Sequence, residues 1–319
     1  MKGLPRPRRS LWLVLGLVIG VVVTAAAVAV ARPHPPDLTF TPKTESQMTN
    51  IDVARAYAKN YYGAPGAVAG PSGTWASPLN LGSNYAKEAR SVAGKGKEWL
   101  AERSHVGHRA IVLDVDDTTL TTWSYELFSN WDFNPATNGV FVGLTDDKFT
   151  GNMFPATPGM VGLVDRAKSL GYAIFWITGR GDLQHAATIA NLVNDSAAGF
   201  PNITQVSYSG QKVPEIDAGY VKPTPIDTRH GGFTDGLFTK PPIGSYPAYL
   251  DKPQFCKPYI HAKPEALSCP TVQYKSGTRA YIESQGYHVV ADFGDQFSDL
   301  KGGHADRVFK MPNPNYFLP

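Results

Sequence analysis

The stretch Ala110-Ile111-Val112-Leu113-Asp114-Val115-Asp116-Asp117-Thr118 decides the fold. Four apolar residues without polar alternation read as a short strand buried on both faces, as in a parallel sheet. Acidic residues follow at once. In extended chain, side chains two apart point the same way, so Asp114 and Asp116 share one side at the strand's end. The carboxyl ends of strands are where open α/β sheets bind ligands. Two carboxylates there can divide a reaction, one attacking and one moving a proton. Asp-x-Asp-x-Thr also opens calcium loops, but the position that needs glycine is Thr119 and the twelfth is Tyr125 rather than glutamate. An EF-hand is excluded twice over.

The same pattern recurs downstream. Gly159 to Leu170 reads as a helix ended by Gly171, and Tyr172 to Ile177 as a second apolar strand. That strand runs into Thr178-Gly179-Arg180, where a hydroxyl and a glycine amide entering a helix suit a phosphate. Leu183 to Val193 is the next helix, with Asp182 at its N-cap position. Thr278 to Gln285 is helical and closes at Gly286, ahead of a third strand, Tyr287 to Ala291. Beyond it lies Gly294-Asp295-Gln296-Phe297-Ser298-Asp299. Its carboxylates, four apart beside a flexible glycine, suit a hard divalent cation. Lys275, just before the last helix, is placed to neutralise phosphate charge. Strands alternating with helices specify an α/β, doubly wound, mostly parallel (Rossmann-like) sheet. Upstream, residues 84–103 form an amphipathic helix with Tyr85, Ala89, Val92 and Trp99 on one side, and Asn50 to Tyr61 has helical spacing.

The flanks locate the chain. Leu11 to Ala31 is a run of 21 uncharged residues, long enough for a bilayer's hydrocarbon core of about 30 Å. Lys2, Arg6, Arg8 and Arg9 precede it and stay cytoplasmic, so the remainder is exported. Ala29-Val30-Ala31 is a small-x-small cleavage pattern, and Arg8-Arg9 hints at twin-arginine export. Residues 1–31 are therefore a signal peptide or a signal anchor, and both readings stay open. Without them 26 basic and 27 acidic side chains remain, which excludes a basic surface for a nucleic acid polymer. Residues 32–83 read as a linker and lead-in. Cys256 and Cys269 in an oxidising compartment favour a structural disulfide; the alternative, two free thiols, makes a poor metal site. Eleven prolines from Pro201 to Pro270 mark a loop-rich insert, about 201–272, rather than further helices. Trp123 to Pro155, rich in Trp, Phe and Asn, is set to form a small cap, about 121–157.

Singly, each motif has an ordinary structural reading. Their order decides between the readings. Asp-x-Asp-x-Thr, Thr-Gly-Arg, Lys and Gly-Asp-x-x-x-Asp, each set against an apolar strand, resemble the haloacid dehalogenase superfamily. The stretches FWITGR, TVQYKSGTR and GYHVVADFGDQFSDL are similar to the class B acid phosphatase and plant vegetative storage protein group, over about 84–311. The resemblance implies a phosphatase domain at 84–319 with Asp114 as nucleophile and Asp116 as general acid and base. It also implies Thr178, Gly179 and Lys275 on the phosphoryl group and Thr118 bracing the nucleophile loop. Magnesium would be held by the Asp114 carboxylate, the Asp116 backbone carbonyl and Asp295, with Asp299 in support. The substrate would be a small phosphomonoester, nucleotides among the candidates. The alternative is a non-catalytic storage or binding protein on the same fold. The start of a histidine phosphatase signature, Arg229-His230-Gly231, lacks that signature's continuation.

Overall fold

β1 (His108–Leu113) lies at the centre of a five-stranded sheet, exposed at His108 and buried from there on. β2 (Ala173–Gly181) and β4 (Tyr287–Gly294) flank it; β3 (Leu237–Lys240) and β5 (Val308–Lys310) form the edges. The order is β3-β2-β1-β4-β5, and every pairing is parallel. The computed structural model describes residues 38–63, 68–69, 75–76, 79–103, 107–142, 144–145, 148–149, 154–193 and 236–318, all within one compact unit. The hydrophobic segment 1–31, residues 201–235 of the insert and Arg229-His230-Gly231 lie outside these. Among the described residues no helix is long and apolar enough to cross a membrane.

Strand alternation sorts the core into two layers. Ile111, Leu113, Ile174 and Trp176 point to one face, packed under α2 (Asn84–Ala101), α5 (Met160–Ser169) and α6 (His185–Val193). Ala110, Val112, Phe175 and Ile177 point to the other, under α8 (Thr271–Ser284). Both faces are covered, as continuous apolar strands require. The α/β expectation holds. Ser83 caps α2 by accepting the Ala86 N–H at 3.1 Å. Gly171, at φ 79°, takes the left-handed turn that ends α5.

Two parts differ from the sequence reading. The proline-rich insert contributes the edge strand β3, and residues around Leu250 and the Cys256–Cys269 disulfide form the second core with α8 and its short neighbour α7 (Lys257–Ile260). A four-residue strand between Gly236 and Pro241 carries too little pattern to stand out from loop, and its pairing with β2 forms it. α8 starts seven residues earlier than expected, so Lys275 lies inside the helix. Gly277 argues against helix by propensity. It is tolerated because a Cβ there would meet Leu250 Cδ2 at 2.7 Å and the Phe255 ring at 2.9 Å.

The cap consists of α3 (Trp123–Ser129), α4 (Pro135–Val142) and a small hairpin, Leu144–Thr145 with Lys148–Phe149. Beneath it Trp123 stacks on Tyr62 at 4.0 Å between ring centres, and Tyr62 on Tyr85 at 4.2 Å. Tyr62 comes from α1 (Ile51–Tyr62), so the lead-in helix joins a third, smaller apolar cluster with Leu79, Tyr85 and Trp123.

α2 approaches the sheet through Gly96, whose added Cβ would lie 2.7 Å from the Phe293 ring and 3.1 Å from Leu163. Phe293 is itself stacked on Phe309 at 4.6 Å and has little room to move. Gly96→Ala is therefore expected to destabilise the fold by about 1–3 kcal/mol despite its better helix propensity. Urea unfolding of the two proteins checks this; an unchanged midpoint would mean that the ring yields freely.

Candidate active site

The tips of β1 and β4 meet at their carboxyl ends. The Asp114 N–H bonds the Phe293 carbonyl at 2.8 Å, which carries the strand pairing one residue past β1. The chain then turns tightly: the Val115 carbonyl accepts the N–H groups of Thr119 at 2.9 Å and Leu120 at 2.8 Å. Asp117 sits in the turn at φ 49°. Its buried carboxylate accepts from Thr122 N at 3.0 Å and Thr122 Oγ1 at 2.6 Å. Asp117 thus builds the loop, and burial pushes its carboxyl up to about 6.

Across the gap, Asp295 and Asp299 follow β4. Gly294 is needed for close approach rather than for flexibility, since a Cβ there would lie 2.4 Å from Asp299 Cβ. The Asp299 carboxylate bonds back to the Gln296 N–H at 2.8 Å. Carboxylate oxygens of Asp114, Asp295 and Asp299 lie within 4.8 Å of one another, all three residues buried. Thr118 Oγ1 donates to Asp295 Oδ1 at 3.2 Å and ties the two loops together.

Lys275, one turn into α8, is ion-paired with Asp114 and with Asp299, the latter at 2.7 Å. Burial alone would lower its pKa, but the two carboxylates raise it above the usual lysine value. One ammonium does not balance three carboxyl groups. Burial drives Asp114 well above the carboxylate range; Lys275 pulls it down, while Asp299, Asp295 and Asp116 add to the rise. Asp295 is pushed to about 7 by burial, then by Asp299 and Asp117. A buried set of oxygen donors with surplus negative charge fits a hard divalent cation. Asp299, expected in support, stands in the cluster itself.

The Asp116 carboxylate is outside that cluster. Arg180 grips it from β2, Nη2 to Oδ1 at 2.6 Å and Nε to Oδ2 at 2.9 Å. Thr188 Oγ1, on α6, accepts from Arg180 Nη1 at 3.0 Å and keeps the fork in place. Sequence reasoning named Arg180 within its tripeptide and assigned it no task. Gly179 lines the cavity; Thr178 is buried behind it, its hydroxyl accepting the Arg180 N–H at 3.2 Å. Asp182 does not cap α6: it opens a 3-10 turn and accepts from Thr239 Oγ1 of β3 at 2.6 Å.

Asp114, Asp116, Arg180, Lys275, Asp295 and Asp299 line one cavity of about 360 Å³. The cap adds Tyr125, Trp131 and Phe133 to its wall, and the chain's end adds Tyr316 and Leu318. Glu126, also on the wall, had no sequence signal; burial first, then the Asp117 and Asp116 charges, raise it to about 8.

A family model described as HAD superfamily, subfamily IIIB (Acid phosphatase) matches residues 74–215 and 257–319. Residues 216–256, which hold β3, fall between the two matched segments. Acid phosphatase 1 of Solanum lycopersicum is 24% identical over 242 residues, 75% of this chain and 71% of that one. Vegetative storage protein 2 of Arabidopsis thaliana is 42% identical over 61 residues, 19% of this chain and 23% of its own length. The stem 28 kDa glycoprotein of Glycine max is 47% identical over 58 residues, again 23% of its length. Similarity to these last two thus spans under a quarter of each. Among solved structures, the class C acid phosphatase from Bacillus anthracis aligns with a TM-score of 0.40 at 18% identity, over 73% of this chain and 80% of that one.

Glu126 yields a pH test. Unfolded glutamic acid loses its proton near pH ~4.3, whereas the folded chain keeps it to about 8. The folded state therefore binds the extra proton between those values. Its contribution to stability is full below the lower value and lost as pH rises through the upper one. In chelator, Glu126→Gln is expected to flatten the fall in melting temperature between about pH 5 and pH 9 and to be the more stable form at the alkaline end, by on the order of 1 kcal/mol or more. Parallel melting curves for the two proteins would refute the burial of that carboxyl.

Proposed function

The chain belongs to subfamily IIIB of the HAD superfamily, the acid phosphatases, and from that premise we propose that it is an exported, magnesium-dependent phosphomonoesterase that carries the phosphoryl group on Asp114. One observation supports this above the rest: Asp114, Asp295 and Asp299 converge within 4.8 Å and Lys275 contacts two of them.

The chemistry follows from the residues. An Asp114 carboxylate oxygen attacks phosphorus, forming an O–P bond as the ester P–O bond breaks. Asp116, held by Arg180, gives its proton to the departing oxygen. The same carboxylate then takes a proton from water, which attacks the aspartyl-phosphate, releases phosphate and restores Asp114. Lys275 turns from Asp114 to a phosphoryl oxygen as the substrate binds. Gly179 leaves its backbone open to that group, with no neighbouring atom within 4 Å of a would-be Cβ. Asp114, Asp295 and Asp299, with the Asp116 carbonyl, would hold magnesium; when bound it supplies positive charge against the repulsion between carboxylate and phosphate. Trp131 and Phe133 at the wall suit an aromatic or nucleotide leaving group.

Export is supported by the hydrophobic segment with its basic flank and by the Cys256–Cys269 disulfide. Residues 1–31 would be the signal or anchor, and 84–319 the phosphatase domain. A second reading, a non-catalytic storage or binding protein, has the similarity to vegetative storage protein 2 behind it. Against it stands the intact constellation around Asp114.

Asp114→Asn is expected to lower phosphate release from an aryl phosphate by at least about 10³-fold, with unchanged circular dichroism. Asp116→Asn is expected to leave the first transfer, from an aryl phosphate to Asp114, intact and to block water attack. Acid quenching should then trap labelled phosphate on the protein. Full turnover by Asp114→Asn would remove the nucleophile assignment. A wild-type chain inert towards a broad phosphoester panel with magnesium would favour the storage reading.

A further inference from the structure

The last residues of the chain do not leave the fold after β5. The Met311 N–H extends the ladder to the Gly294 carbonyl at 2.8 Å, and Met311 is fully buried. Asn313 Nδ2 then donates to Asp295 Oδ2 at 2.7 Å, and its Oδ1 accepts the Asn315 N–H at 2.8 Å. Gln296 Nε2 donates to the same Asp295 oxygen at 2.6 Å. Gln296 is itself held by the tail, since its Oε1 accepts the Leu318 N–H at 2.9 Å. Asn315 fastens the segment to two other elements: it donates to the Tyr62 hydroxyl at 2.9 Å and accepts from Trp131 Nε1 at 3.3 Å.

Rotation of a carboxylate about its own bond is what such contacts remove. Oδ1 of Asp295 is fixed by Thr118, and both donors to Oδ2 belong to the tail or are held by it. We infer that residues 311–318 are part of the cation site, with Asn313 a positioning residue that sets the orientation of Asp295. The inference rests on the reading that Asp295 helps to hold a divalent cation. Without Asn313 the group is freer to turn, which weakens its hold on a cation. Partners of metal-binding side chains commonly act at this strength, about 10–100-fold in affinity. Nothing in the tail's sequence, Pro312-Asn313-Pro314-Asn315-Tyr316-Phe317-Leu318, marks it as such.

The test is calorimetric titration of chelator-stripped protein, residues 32–319, with MgCl₂ at pH 7. Asn313→Leu, which removes the donor, is expected to raise the magnesium Kd at least about 10-fold while the melting temperature in chelator stays near wild type. Asn313→Ser keeps a hydroxyl for the Asn315 N–H and replaces the leucine variant if that one fails to fold. A Kd within about twofold of wild type in a folded variant overturns the inference and leaves the proposed function standing. Wild-type protein that binds no magnesium overturns the proposed function itself.

Discussion

Three buried carboxyl groups share one lysine, and the rest of the site is arranged around that imbalance. Placing ionised groups in a low-dielectric interior is costly unless they are paired. Lys275 meets Asp114 and Asp299, Thr118 and Asn313 bond Asp295, and still three buried carboxyl groups face one paired ammonium, with Asp114 and Asp295 held above the usual carboxylate range. A fold that only needed stability would not keep such a cluster at its strand tips. The cost is spread over the surroundings: Gly294 admits Asp299, the β1–β4 pairing runs on through Asp114, and α8 delivers Lys275 from behind the sheet.

Asp116 shows how two neighbouring carboxylates are given different surroundings. Asp114 is buried against Lys275; Asp116 is more open and held by a guanidinium fork that Thr188 fixes in turn. Two carboxylates two residues apart are thus given different partners, an ammonium for one and a guanidinium for the other, by the elements that surround them.

Much of this was legible in the chain, and for a definite reason. A strand buried on both faces is written as an uninterrupted apolar run, so the acidic groups that end such runs mark the sheet's carboxyl edge. Asp114, Asp116 and Asp295 stand in that position and line the cavity; Thr178 ends its own run but is buried and does not line it. Elements that take shape through tertiary pairing were not legible. β3 is four residues long among prolines, and the start of α8 was hidden by a glycine that Leu250 and Phe255 require. Arg180 and Asn313 act through hydrogen bonds to partners 64 and 18 residues away, which no local pattern records. Asp117, next to Asp116, belongs to the turn by virtue of its left-handed backbone, a distinction that sequence does not display.

The central claim is that surplus charge at the strand tips is matched by a cation. Anomalous diffraction from crystals soaked in MnCl₂ addresses it most directly, with manganese standing for magnesium among oxygen donors. One peak bounded by the carboxylates of Asp114, Asp295 and Asp299 is the result expected. A fully occupied peak elsewhere, with that position bare, would contradict the account.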